Sequence, residues 1–267
     1  MAGPSFASSD RASHDGATRP GSRAWSDRRR RFAVVSAGRS IGMTRGIFIT
    51  ATDTGVGKTV VACAILRVLT RAGMRAVGMK PVASGIAAGA ACNADVDALA
   101  AAGNVSVERS LANPYAFAPA ISPHLASRRS GTNIDLQRIA AAYRELAARA
   151  ERVVVEGAGG ALAPLDERLD MLDIARALSI PVLLVVGLRL GCINHALLSA
   201  HAIRARGLVL AGWVANSIDP AMEAREDNIS TLEKRLPARR VATLAWERAN
   251  TPEWNGSDAV VRLFAAR

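Results

Sequence analysis

The sequence predicts a doubly wound α/β fold, a mostly parallel sheet with helices on both faces, and three observations carry that prediction. From Gly46 onward short apolar runs alternate with helical patterns, which is the order produced by parallel strands joined through crossover helices. The first apolar run passes straight into a glycine-containing turn that opens a helix. The run from Pro181 to Val186 is uninterrupted and of strand length, as a buried strand should be.

In chain order, Gly46 to Thr50 reads as a strand, Lys58 to Arg71 as a helix and Ala76 to Met79 as a second strand. Asp135 to Arg149 then reads as a helix, Arg152 to Val155 as a strand, Met171 to Leu178 as a helix and Pro181 to Val186 as the buried strand. Ile193 to Arg206 is helical, Leu208 to Ala215 a strand and Ser257 to Phe264 a last helix. No internal repeat interrupts this order.

The 267 residues suit one sizeable domain, expected over residues 43–267, and half of them are hydrophobic. No apolar run approaches the roughly 18 to 20 residues that a membrane span requires, so the expectation is a soluble, cytoplasmic protein without a membrane partner. Residues 1–42 are rich in Ser, Gly and Arg and lack apolar periodicity. They read as a disordered extension, or as the product of a start assigned too early, with Met43 the natural one.

The formal charge of +11 raises the question of a nucleic-acid partner. Its distribution answers against one: residues 1–42 hold eight arginines and three aspartates, so +5 of the +11 sits there and the remainder is dispersed. Only three of the 34 basic residues are lysines. Cys63, Cys92 and Cys192, and His14, His124, His195 and His201, lack the close spacing of a zinc or iron–sulfur site.

The chemistry is concentrated in four places. Thr52-Asp53-Thr54-Gly55-Val56-Gly57-Lys58-Thr59 lies between a strand and a helix, the context of a phosphate-binding loop. Backbone N–H groups there face an anion, Lys58 supplies charge to the outer phosphates and the Thr59 hydroxyl can ligand magnesium. The fold class is thereby narrowed to the P-loop nucleoside triphosphatases, although Thr52 stands where the motif has glycine.

Lys80, in Gly78-Met79-Lys80-Pro81-Val82-Ala83-Ser84-Gly85, ends the second strand at the edge where ligands of open parallel sheets bind. The third place is Val153-Val154-Val155-Glu156-Gly157-Ala158-Gly159-Gly160, an apolar strand ending in an acid, the Walker-B pattern, followed by glycines that admit phosphate closely. Glu156 is read as a magnesium ligand. Asp95 and Asp97 both compete to be a further ligand, and spacing leaves that choice open. Fourth, Gly191-Cys192-Ile193-Asn194 opens a helix whose free N–H groups suit a carboxylate.

These strings, TDTGVGKT, GMKPVASG, NPYAF with SPHLAS, VVVEGAGG, VGLRLGCINHALL and LAGWVAN, follow one another over almost the whole chain from Met43, and the sequence resembles the dethiobiotin synthetase family. The resemblance implies an ATP- and magnesium-dependent ligase that makes dethiobiotin, ADP and phosphate from 7,8-diaminononanoate and carbon dioxide, as a homodimer. It implies that Gly55, Val56, Gly57, Lys58, Thr59 and Val60 cradle ATP, that Thr59, Asp97 and Glu156 bind magnesium, and that Lys80 acts with Lys58 in catalysis. By the same likeness Gly157, Ala158 and Gly159 approach the nucleotide, and Thr54 and Ser84 lie near substrate. Asn216 with Ser217 takes the adenine, and Gly191, Cys192, Ile193 and Asn194 hold the substrate carboxylate from the other subunit. Two departures stand out: Gly55 replaces an acidic residue of some members, and Ala245-Trp246-Glu247 replaces the Pro-Trp-Leu of the adenine loop.

The rival from another class is a partition or positioning ATPase switch, whose loop carries a signature lysine where Asp53 stands here. An amidotransferase-linked ligase would need a further glutaminase domain, for which the chain has no length.

Overall fold

The computed structural model describes residues 44–246 and 257–264. The expected extension, residues 1–42, lies outside them, as does Glu247 of the altered adenine loop.

Six parallel strands form the central sheet in the order β2-β5-β1-β6-β7-β8. They are β1 (Gly46–Ala51), β2 (Ala76–Met79), β5 (Arg152–Glu156), β6 (Val182–Leu188), β7 (Leu210–Ser217) and β8 (Arg240–Leu244). A second sheet pairs the short strands β3 (Val82–Ser84) and β4 (Tyr115–Phe117), also in parallel. Helices α1 (Lys58–Arg71), α2 (Ala94–Ala102), α3 (Arg109–Ala112), α4 (Pro123–Ser130), α5 (Leu136–Arg149), α6 (Met171–Leu178), α7 (Cys192–Ala205), α8 (Arg225–Arg235) and α9 (Ser257–Arg262) complete the described chain. None of them is long and apolar enough to cross a membrane.

Strand alternation sends the sheet's side chains into two layers even though β1 is buried on both faces. Phe48, Val153, Val155 and Val182 pack with Ile139, Tyr143 and Leu146 of α5 and with Leu172, Ile174 and Ala175 of α6. Ile47, Ile49, Val154, Leu183 and Val185 pack on the opposite face against Val61, Ile65, Leu66 and Leu69 of α1 and Val260 of α9. A smaller cluster joins Leu184, Val186 and Trp213 to α7 and α8. The doubly wound class is therefore as the alternation of runs indicates.

Parallel pairing brings the C-terminal ends of β1, β2 and β5 together, with Ile49 opposite Glu156 and Met79 opposite Val155. That edge carries the loop after β1, Lys80 after β2 and Glu156 at the end of β5. A cleft of about 1090 Å³ lies at the other end of the strands, beside Leu210 and Arg240, remote from these residues.

The strand expected over Leu208 to Ala215 is β7, displaced two residues towards the C-terminus. The Leu208 N–H still bonds back to the Ile203 carbonyl and belongs to the turn that ends α7. The displacement takes Asn216 and Ser217 into the strand, opposite Gly187 and Leu188 of β6.

Candidate active site

The P-loop is a taut turn held from beneath by β6. Thr52 donates its N–H to the Val185 carbonyl at 3.0 Å, and its hydroxyl accepts from the Gly187 N–H at 3.3 Å. Gly57 has φ +90°, a left-handed conformation that L side chains rarely take, and an added Cβ would lie 2.2 Å from Asn216 Nδ2. Asn216, buried, donates Nδ2 to the Val56 carbonyl at 2.8 Å and so buttresses the loop from the end of β7. Helix α1 starts at Lys58 with no side-chain cap and no acid in its first turn. Its leading N–H groups and the positive end of its dipole are left for an anion.

Lys58 is buried and donates Nζ to the Asp53 carbonyl at 3.0 Å. Burial brings its pKa down to about 8, with Glu156 pulling the other way and Lys80 adding to the fall. An ammonium this poorly solvated gains strongly from a phosphate.

Lys80 is the centre of the second half of the site. Its main chain is pinned on both sides, the N–H donating to the Ala112 carbonyl at 2.8 Å and the carbonyl accepting from Asn113 Nδ2 at 2.6 Å. Its Nζ lies 2.5 Å from Asp95 Oδ2 and 2.7 Å from Glu156 Oε1. Thr59 donates its hydroxyl to the same Glu156 Oε1 at 2.8 Å. Burial favours a neutral Lys80 amine, but the two carboxylates outweigh it and hold the pKa above the usual lysine value. Burial also disfavours ionised Asp95, where the attraction of Lys80 prevails and the pKa lies below the usual range. At Glu156, 1% exposed, burial wins over Lys80 and pushes the carboxyl up. Its Oε2 is buried and has no hydrogen-bond partner.

Thr59, Asp95 and Glu156 together offer the hard oxygen donors that magnesium takes, and the buried Oε2 of Glu156, without a protein donor, is free to be one of them. The residues present thus fit a divalent cation.

Asp97 is placed differently from the expectation that it joins Thr59 and Glu156. Its carboxylate is 57% exposed and pairs with Arg109 at 3.3 Å, outside this cluster. Asn93 is the N-cap of α2, its side chain accepting from the Asp95 N–H, so Asp95 and Asp97 both lie in the first turn. Residues two positions apart in a helix are separated by roughly 200° around the axis, so Asp95, which contacts Lys80, and Asp97 point to opposite sides.

The other expected positions lie around this edge. Val56 is buried and Val60 half-buried in the loop and first turn of α1. Gly157 passes so close to Phe48 that an added Cβ would meet its ring at 2.9 Å, and Gly159 has φ +70°. Ala158 is half-buried beside them, and Thr54 is exposed at the mouth of the loop. The hydroxyls of Ser84 and Ser217 are buried without partners. Ala245 and Trp246 are exposed. At the start of α7, Gly191 has φ +93°, Cys192 is buried, Ile193 is half-buried, Asn194 is exposed, and no acid occupies the first turn.

Sequence reading overlooked Arg189, which pairs with Asp53 at 2.6 Å and ties the loop before α7 to the P-loop. It also overlooked Asn93 and Asn113, whose side chains bind main-chain groups around Lys80 and Asp95. An asparagine two residues before an acid at a helix start is the cap signature that would have favoured Asp95.

A P-loop, an uncapped helix start and a lysine–carboxylate–threonine cluster on one sheet edge define the class of P-loop nucleotide-binding enzymes. The fold is shared with a chain of the MinC:MinD cell division protein complex of Aquifex aeolicus, at 16% identity and TM-score 0.51, over 82% of this chain and 94% of that one. It is shared as well with FtsY of Mycoplasma mycoides, at 10% identity and TM-score 0.50, over 85% and 68% of the two chains. A family model described as an AAA domain matches residues 45–253. The ATP-dependent dethiobiotin synthetase BioD of Nitrosospira multiformis is 52% identical over 207 residues, 78% of this chain and 91% of that protein. The same enzyme of Pseudomonas aeruginosa is 52% identical over 194 residues, 72% and 85% of the two chains. The chain belongs to the ATP-dependent dethiobiotin synthetase family.

Proposed function

We infer that the chain closes the ureido ring of dethiobiotin, joining 7,8-diaminononanoate and carbon dioxide with ATP hydrolysis to ADP and phosphate. The observation that carries the reading is the convergence of Lys58, Lys80 and Glu156 beside the bare N-terminus of α1, in a chain half identical to enzymes named for that synthesis.

An uncharged amine of the diamine adds to carbon dioxide and loses a proton, giving a carbamate. The carbamate oxygen attacks the γ-phosphate of ATP and displaces ADP, leaving a mixed carbamic–phosphoric anhydride. The second amine then attacks the carbonyl carbon, expels phosphate and closes the ring. The helix start and Lys58 hold the phosphates, and Lys80 places a second fixed positive charge where carbamate and phosphoryl oxygens meet. This is electrostatic stabilisation with positioning, and no covalent enzyme intermediate is needed. Magnesium, held by Thr59, Asp95 and Glu156, supplies neutralisation of phosphate charge when bound. Asp95 takes the place that the family resemblance gave to Asp97.

Asn216 and Ser217 stand next to the P-loop on the nucleotide side, Thr54 and Ser84 on the substrate side. Gly191 to Asn194 suit the distal carboxylate of a substrate bound to the other protomer of a homodimer, in the cytoplasm. Mass-spectrometric detection of dethiobiotin from diaminononanoate, bicarbonate and ATP tests the reading. Consumption of ATP without that product refutes it.

A further inference from the structure

The cleft at the far end of the sheet takes no part in the chemistry above. It has a volume of about 1090 Å³ and is lined from β7, β8, α8 and α9. Leu236, Val241 and Leu263 give it a buried apolar floor, with half-buried Leu210 beside them. Arg204, Arg239, Arg240 and Arg262 line it together with one acid, Glu233, and four arginines less one glutamate leave three net positive charges. Glu233 is already committed, since Arg240 donates its Nε to that carboxylate at 2.8 Å. Arg204, Arg239 and Arg262 are exposed, and none of them pairs with an acid among the described residues. The Arg262 Nε donates to the main-chain carbonyl of Asp258 at 3.3 Å.

A concave wall of one charge sign over a low-dielectric floor concentrates positive potential. Guanidinium groups meet oxyanions through two parallel hydrogen bonds. An apolar lining with a few placed polar groups is also the make-up of small-molecule sites, which span roughly 300–1,000 Å³. We propose that this cleft is a second binding site, for an organic phosphate whose apolar group lies on the Leu236–Val241–Leu263 floor and whose phosphate is held by Arg204, Arg239 and Arg262. A phosphate monoester carries about −1.5 to −2 at neutral pH, a better match to three positive charges than the single charge of a carboxylate. Leu210 and Asn216 lie towards opposite ends of β7, about 20 Å apart at roughly 3.3 Å per residue. The ligand of this cleft is therefore not the phosphate that reacts beside Lys58 and Lys80, and the proposal stands apart from the ligase reading.

The test titrates octyl phosphate into the whole chain by calorimetry, with magnesium and a non-hydrolysable ATP analogue present to keep the P-loop filled. Octanoate, octanol and inorganic phosphate serve as comparison probes. One octyl phosphate per chain is expected, bound about tenfold or more tighter than any of the three. Arg204→Gln combined with Arg239→Gln should weaken it about tenfold or more, with ADP formation and melting temperature as in the parent. If the double variant does not fold, Arg204→Gln alone reads the loss. Absence of octyl phosphate binding, or binding that the arginine variants leave unchanged, overturns the site. Octanoate binding equally tightly overturns the choice of phosphate, and inorganic phosphate binding equally tightly overturns the role of the apolar floor.

Discussion

Asp95 and Asp97 are two residues apart on one helix and provide a matched pair of perturbations. Asp95→Asn removes a carboxylate 2.5 Å from the buried Lys80 ammonium, a charge-assisted hydrogen bond of about 1.5–3 kcal/mol. Part of that loss is recovered because Glu156 still holds Lys80 at 2.7 Å, so the expected fall in unfolding free energy is about 1–2 kcal/mol. Asp97→Asn breaks a pair whose side chains are 61% and 57% exposed, and pairs so exposed contribute about 0–1 kcal/mol. The contrast in catalysis is larger. Asp95→Asn frees the Lys80 ammonium from its fixed position, and loss of one such preorganised positive charge at the reacting phosphates lowers turnover about 10²–10³-fold, whereas Asp97→Asn should stay within about twofold, since surface substitutions away from the site change little. Urea unfolding of both variants and steady-state ADP formation at saturating ATP provide the readings. A larger loss of turnover in Asp97→Asn than in Asp95→Asn would refute the placement of Asp95 in the site.

Gly57→Ala forces a Cβ into left-handed backbone and against Asn216 Nδ2; the strain and the displaced hydrogen bond to Val56 should cost about 2–5 kcal/mol, and an unchanged urea midpoint would contradict it. Lys80→Gln should reduce turnover far more than ATP affinity, as a paired calorimetric and kinetic titration would register. Lys58 has a folded pKa near 8 against 10.5 in the unfolded chain, so unfolding takes up protons between those values and stability rises with pH there. Lys58→Met should therefore stabilise the nucleotide-free protein most below pH 8, with the gain fading towards pH 10.5 in thermal melts; a gain independent of pH would count against the burial argument.

The parts that were legible in the sequence are those where one physical signal dominates. Helix α1, strand β2 and helix α6 have the bounds that their apolar periodicity and flanking turns indicate. The Gly55 to Thr59 turn was legible because a helix start without a side-chain cap needs glycine and a polar anchor. Helix α8 was not, since only Ile229 and Leu232 of its eleven residues are buried, too few to set a period. Strand β8 lies at the sheet edge and has five residues, and the three-residue strands β3 and β4 depend on each other rather than on pattern. In the site, Lys58, Lys80, Thr59 and Glu156 could be gathered from strand ends alone. The choice of Asp95 needed the helical phase fixed by the Asn93 cap, and the Arg189–Asp53 pair joins residues 136 positions apart, beyond the reach of local pattern.

ATP is spent on a carbamate, and that acceptor does not exist until diamine and carbon dioxide are both bound. ADP formation measured in carbon-dioxide-depleted buffer, with and without diaminononanoate and again after bicarbonate is restored, tests it most directly. Rapid ADP release is expected only when both are present; hydrolysis equally fast in every condition would rule out the carbamate as the phosphoryl acceptor.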